Sequence, residues 1–282
     1  MKKRFLALLT AGIIFVSLPE TQAQVKLPQA SSTTKIEQGI GIKKVTLVYQ
    51  RPNTNGRAIF GGLEPYDQVW RTGANNIPSI TFEEEVSIAG NKVPAGTYGI
   101  FSIPKKTGDW TIILSKNANQ WGAYQYKQDE DLLRFAAKAK KLNDKVETFT
   151  MAFENVTPKG ADLTLAWENV KVSFPIAVDQ SKEILASIDE AMKGEKKPYF
   201  QAAQYYFNNN LDINKALAWA NEADKGNTKA PHIKYWKAQI QLKAGDKAGA
   251  IQTATEGVEM AKAANNAEYV KLNTQVITAA KK

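Results

Sequence analysis

The sequence contains no cysteine and a single histidine, His232. The first absence excludes disulfides, thiolate metal sites, cysteine nucleophiles and a lipid-modified cysteine anchor. The second leaves no histidine pair for a metal. His232 follows Pro231 at an expected helix start, a capping or surface position rather than a triad member. The patterns HExxH, GxSxG, the P-loop and GxGxxG are missing too. Phe60-Gly61-Gly62 is not followed by the Gly-Lys that would reach a phosphate. No cofactor and no metal are therefore expected. Long apolar runs are scarce: the one of note is 5-FLALLTAGIIFVSL-18.

That run follows Lys2, Lys3 and Arg4 and ends at Pro19, with the small-residue pattern 21-TQA-23 behind it. A basic segment, an apolar core and small residues at a cleavage point predict a signal peptide over residues 1–23. As a helix, the run spans about 21 Å, short of the roughly 30 Å of a bilayer core, so cleavage is favoured over an uncleaved anchor. The expectation is an exported protein, periplasmic or secreted, with no transmembrane segment after cleavage. Of the formal charge of +9, residues 24–282 carry +7, spread over the chain without a long basic run. That distribution gives no nucleic-acid footprint. It fits a solvated lysine-rich surface, or weak attraction to anionic envelope polymers.

Two periodicities divide the rest. Residues 24–35 are small and polar, a flexible lead-in. From 36 to 178, short runs rich in Val, Ile, Thr, Phe and Tyr alternate with turn residues, as in 44-KVTLVYQ-50, 97-TYGIFSIP-104, 110-WTIILSK-116, 146-VETFTMAF-153 and 161-ADLTLAW-167. This pattern predicts a mainly antiparallel β-sandwich of jelly-roll type. Gly90-Asn91 marks a two-residue hairpin. The run 132-LLRFAAKAKKL-142 is ambiguous, since its alanines favour helix while Leu133, Phe135, Ala137 and Ala139 alternate as in a strand. Strand is the preferred reading. From 179 to 282 the period becomes helical, beginning with Ile184, Leu185, Ile188 and Met192 on one face. Asp212 and Asp246, Ala216 and Ala250, Leu217 and Ile251, and Ala220 and Ala254 are each 34 residues apart, the tetratricopeptide period. A plain bundle of helical hairpins is the alternative. Such a tail is expected to dock on the β-domain, on a second copy of the chain (self-association) or on a protein partner.

Arginine is the informative scarcity. Beyond residue 23 only Arg51, Arg57, Arg71 and Arg134 occur, among 34 basic side chains. Three of the four fall in 51-RPNTNGRAIFGGLEPYDQVWRTGANN-76, which has no lysine. Guanidinium offers a planar fork of donors that meets carboxylate or phosphate at two points and stacks on aromatics, which lysine does not. Either the arginines brace a long loop, with Glu64 as a partner, or they bind a polar ligand. Aromatics crowd the same region, three of them in 119-NQWGAYQY-126. The candidate ligand-binding set is Arg51, Arg57, Arg71, Trp70, Asn75, Trp121 and Tyr124, with no catalytic residue. Glu64, Asp67, Glu154, Asp162 and Glu168 are the carboxylates available for paired acid–base work. The run 83-EEE-85 reads as a solvated strand end.

The segments 49-YQRP-52, 56-GRAIFGGLEPY-66, 69-VWRTGAN-75, 94-PAGTYGIFSIP-104, 110-WTIILSK-116 and 120-QWGAY-124 together resemble a family of exported bacterial proteins known as domain of unknown function 2911. The resemblance covers roughly 36–178 and implies one β-domain there, with 132–142 a strand. Members often carry a helical repeat tail. No activity, cofactor or catalytic residue comes with the resemblance. The expected function is non-enzymatic binding of a polar small molecule or cell-envelope glycan, anionic or carbohydrate. Hydrolysis of envelope polysaccharide through paired carboxylates is the alternative, as is a purely structural or interaction role.

Overall fold

The computed structural model of the protein describes residues 27–227 and 229–282, so the expected signal peptide lies outside the described residues. The chain divides into two compact units, one ending at Val178 and the other Asp179–Lys282. Among the described residues, nine strands precede six α-helices. The strands are β1 (Ser32–Ile40), β2 (Lys43–Arg51), β3 (Ser79–Phe82), β4 (Val86–Ile88), β5 (Asn91–Val93), β6 (Gly96–Ile103), β7 (Trp110–Ser115), β8 (Asp131–Thr157) and β9 (Gly160–Ala177). They form one antiparallel sheet in the order β1-β2-β3-β6-β7-β8-β9-β4-β5. β8 makes this continuity possible. Its first part pairs with β7, and from Lys138 onward it pairs with β9 across several register shifts.

The alanine-rich run belongs to β8. Phe135 and Ala137 are buried while Arg134, Ala136 and Lys138 are exposed, so alternation overrides alanine's helical propensity. The runs 132–142 and 146–153 are parts of this single 27-residue strand. β1 takes in residues 32–35 of the expected lead-in. It is an edge strand whose outward Lys35 and Glu37 discourage pairing with another chain. The β4–β5 turn is Ala89-Gly90, both at positive φ, one residue earlier than Gly90-Asn91. Packing sets that register. Val86, Ile88 and Val93 are all buried, and a one-residue slip would turn one side of the hairpin outward.

The sheet curls until the end of β2 meets the middle of β8. The Phe149 N–H donates to the Pro52 carbonyl at 2.8 Å, and the Tyr49 hydroxyl donates to the Met151 carbonyl at 3.0 Å. Arg51 joins this seam, donating from Nε to the Phe149 carbonyl (3.1 Å) and from Nη2 to Thr150 Oγ1 (2.8 Å). Arg51→Ala should therefore cost about 1–2 kcal/mol, read as a lower Tm of the β-unit, because two charge-assisted bonds are lost together. Inside the curl lies one apolar cluster with an aromatic centre. Trp70 stacks on Trp167 at 5.8 Å and meets Phe60 and Phe149 edge to face.

β6 and β7 are buried on both faces, which their nearly unbroken apolar runs require. The inner face joins the main core. On the outer face Phe101 and Ile113 pack with Ile77, Val69, Ala123 and Tyr126, contributed by two loops.

In the second unit the helices are α1 (Ser181–Ala191), α2 (Tyr199–Asn208), α3 (Ile213–Gly226), α4 (Pro231–Lys243), α5 (Lys247–Ala263) and α6 (Ala267–Ala280). The 34-residue spacing has structural counterparts. Asp212 and Asp246 cap α3 and α5, accepting from main-chain N–H groups of the first turn. Ala216, Ala220, Ala250 and Ala254 are all buried where helices pack. Buried Lys234 is offset by Asp224 at 2.9 Å and Glu256 at 2.8 Å, so its charge is paired. No helix among the described residues is long and apolar enough to cross a membrane.

Candidate functional site

The loop from Pro52 to Pro78 is held to the sheet by two carboxylates. Glu147 on β8 accepts from the Asn55 N–H at 2.8 Å and from the Thr54 hydroxyl, and these bonds hold its carboxyl below the usual range. Glu168 on β9 accepts from the Ile59 and Phe60 N–H groups at 3.3 and 3.4 Å. The glycines that follow serve a tight turn. A Cβ at Gly62 would stand 2.5 Å from the Ala58 carbonyl oxygen, and Gly61 sits at φ +84° against the Tyr66 ring. Arg57 is exposed and donates to the Thr54 and Asn53 carbonyls at 2.9 and 2.8 Å, closing the same loop.

Beyond the turn the chain crosses β6, where Trp70 and Ser102 exchange main-chain hydrogen bonds. Trp70 enters the core and is 3% exposed; Arg71, next in sequence, faces outward and is half-buried. Thr72 is fully buried at φ +57°, an unusual conformation for a β-branched residue. Its hydroxyl meets that of Ser102 at 2.8 Å, which helps to hold the strain. The loop then forms a short ladder with the second loop. The Ile77 N–H donates to the Gln120 carbonyl at 3.1 Å, and the Gly122 N–H donates to the Asn75 carbonyl at 2.9 Å. Gln50, with its amide nitrogen turned inward, donates to the Asn76 and Ala74 carbonyls from below.

This ladder brings Arg71, Asn75, Trp121 and Tyr124 onto one surface. Trp121 and Tyr124 are 61% and 81% exposed, and their rings lie nearly parallel with centroids 5.9 Å apart. The Arg71 guanidinium carbon stands over the Trp121 ring, 6.0 Å from its centroid. Gly122 makes the arrangement possible. At φ +74°, its missing Cβ would lie 2.8 Å from the Tyr124 ring and 3.6 Å from Arg71 Nη1. Trp121 and Asn75 also border an open groove of about 710 Å³, with Gln50, Asn76, Thr33 and Ser31 along it. Among the described residues Arg71 makes no hydrogen bond and no ion pair.

Of the seven residues expected at the site, the structure groups these four. Arg51 and Arg57 spend their donors on the fold, and Trp70 is core. The contributions of Gln50 and Thr33 carry no local signal in the sequence, because their pairing across β1 and β2 brings them there.

Glu64 is half-buried and feels the charges of Arg71 and Arg57. Burial pushes its carboxyl up to about 7, against the pull of Arg71, the Trp70 indole N–H and Arg57. The indole Nε1 is buried and has no partner at full hydrogen-bond geometry. Among the described residues no ion pair within 4 Å joins Arg71 to Glu64, although the two attract electrostatically. The other carboxylates have occupations of their own. Glu154 accepts from Lys171 at 2.7 Å, Asp162 from Asn155 at 2.7 Å, and Asp67 pairs with Lys105. No group of three or more His, Asp or Glu among the described residues could hold a metal ion.

Fold and surface together define a two-unit protein whose antiparallel β-domain displays an arginine beside an exposed aromatic pair, followed by a helical unit. Residues 31–176 match the family described as Protein of unknown function (DUF2911), and the chain belongs to that family. No curated protein and no solved structure matches the chain.

Proposed function

We propose that this is an exported, non-enzymatic binding protein whose β-domain takes a polar ligand on the Arg71–Trp121–Tyr124 surface. One observation carries the reading: two large aromatic rings lie nearly parallel and open to solvent beside a guanidinium that, among the described residues, makes no hydrogen bond and no ion pair. Isolated exposed aromatics are ordinary, but this pair is held by a backbone ladder and by a glycine whose side chain would displace it. Nearly parallel rings offer apolar faces to sugar C–H groups, and the groove amides and hydroxyls offer partners for sugar hydroxyls. The basic-then-apolar N-terminus supports export. The 34-residue spacing of caps and buried alanines supports a tetratricopeptide-like docking role for the helical unit.

Hydrolysis is less favoured. Glu64 has a pKa suited to a general acid, but the four other candidate carboxylates have local partners and none is among the groups that shift it. The test is calorimetric titration of the purified protein with neutral and acidic oligosaccharides and with simple anions. Trp121→Ala is expected to weaken binding roughly ten-fold or more while leaving Tm within about 1 °C, because an exposed ring contributes little to the core. Unchanged affinity in Trp121→Ala would remove the platform from the site.

A further inference from the structure

We infer that the ligand on this surface is an acidic saccharide, a sugar bearing a carboxylate, with the sugar on the Trp121–Tyr124 rings and the carboxylate on Arg71. The inference rests on the binding reading above and narrows it to one chemical class.

Each part of the surface excludes a simpler ligand. An inorganic anion would satisfy Arg71 yet leave two rings, 61% and 81% exposed, without a role. A neutral sugar would use the rings and groove amides yet leave the guanidinium unused. Arginine is also the rare choice in a chain where lysine supplies 30 of the 34 basic side chains beyond residue 23. A planar fork matters when the acceptor is planar and two-pronged, as a carboxylate is. The two features adjoin: the guanidinium carbon stands over the Trp121 ring, 6.0 Å from its centre, so one ligand on the rings would meet the Arg71 donors as well.

The position of Arg71 is fixed from behind. It precedes the strained, fully buried Thr72, whose hydroxyl is tied to Ser102, and Gly122 leaves the space beside its Nη1 open. The guanidinium itself is oriented by the Trp121 ring, which limits the entropy it loses on binding. Glu64, the acid that acts on it electrostatically, forms no ion pair with it and leaves its donors available.

The experiment compares acidic oligosaccharides with their own methyl esters, which keep the sugar ring and remove the charge. Oligogalacturonic acid, oligoguluronic acid and a sialylated trisaccharide, each with its ester, are titrated into the full protein at low salt. The expected result is that at least one acid binds roughly ten-fold or more tightly than its ester. Arg71→Ala should abolish that preference, and Arg71→Lys should keep only a small part of it. Trp121→Ala should weaken acid and ester alike. Circular dichroism and Tm of each variant establish that the fold is retained.

Equal binding of acid and ester overturns the acidic class, and a preference untouched by Arg71→Ala overturns Arg71 as the carboxylate's partner; either leaves the aromatic platform standing. Binding of neither form across the whole set overturns both the class and the platform.

Discussion

Trp70→Ala is expected to destabilise the β-unit by about 3–5 kcal/mol, enough to abolish its cooperative melting near physiological temperature. The indole is 3% exposed, stacked on Trp167 and edge-on to Phe60, Phe149 and Trp110. Truncation leaves a hole at the point where the curled sheet closes on itself, and four large rings cannot collapse into it without leaving their rotamers. The adjacent substitution should behave in the opposite way. Arg71→Ala removes a partly exposed guanidinium with no hydrogen bond among the described residues, so its cost should stay under about 1 kcal/mol. Chemical denaturation of the two variants decides the matter. Comparable losses at positions 70 and 71 would show that Arg71 supports the fold, and the binding reading would then lose its main residue.

Glu64→Gln should stabilise the β-unit at pH 8 and leave it unchanged near pH 4. The sign follows from the raised pKa. Burial puts the folded carboxyl at about 7, whereas the ordinary value is 4.5. Below 4.5 both folded and unfolded chains hold the proton, and the group is neutral in its effect. Between 4.5 and 7 the unfolded chain has lost its proton while the folded chain keeps it, so stability falls as pH rises. Above 7 both are ionised and the full cost remains. The shift corresponds to at most about 3 kcal/mol, reduced to about 1–2 kcal/mol by the solvent that reaches a half-buried side chain. Melting curves from pH 4 to 9 should show wild type falling behind Glu64→Gln by several degrees across that window. Parallel curves would mean that Glu64 ionises as freely in the fold as in the unfolded chain. Arg71, Arg57 and the Trp70 indole N–H oppose the shift, so removing either guanidinium should widen the difference.

Several elements were legible residue by residue. The alternation of Phe135, Ala137 and Ala139 marks a strand despite the alanines, because the inward face of a pleated strand accepts any apolar side chain. The repeated Asp212 and Asp246 mark helix starts, because a carboxylate there satisfies N–H groups that the helix leaves unpaired. Other features had no local signature. Strand count does not say whether the strands form one sheet or two, since that depends on the single long strand β8 turning through its register shifts. The rarity of arginine pointed to a special segment, yet the three guanidinium groups have different surroundings. Arg51 closes the seam between β2 and β8, Arg57 is exposed but closes its own turn, and of the three only Arg71 makes no hydrogen bond among the described residues.

By itself the sequence determined the boundary between β and α, the absence of thiol chemistry and the residue types of the site. These depend on local periodicity and composition, which are properties of neighbours along the chain. Which aromatics are core and which are surface was decided only by the tertiary structure. Trp70 and Trp121 are chemically identical and both lie in loops, but one loop crosses β6 with its side chain facing the curled sheet, while the other returns over the outer face with Gly122 turning the rings outward. That choice depends on pairing between residues about 43 to 47 positions apart, such as Asn76 with Trp121, where burial of the whole sheet outweighs any preference of a single residue.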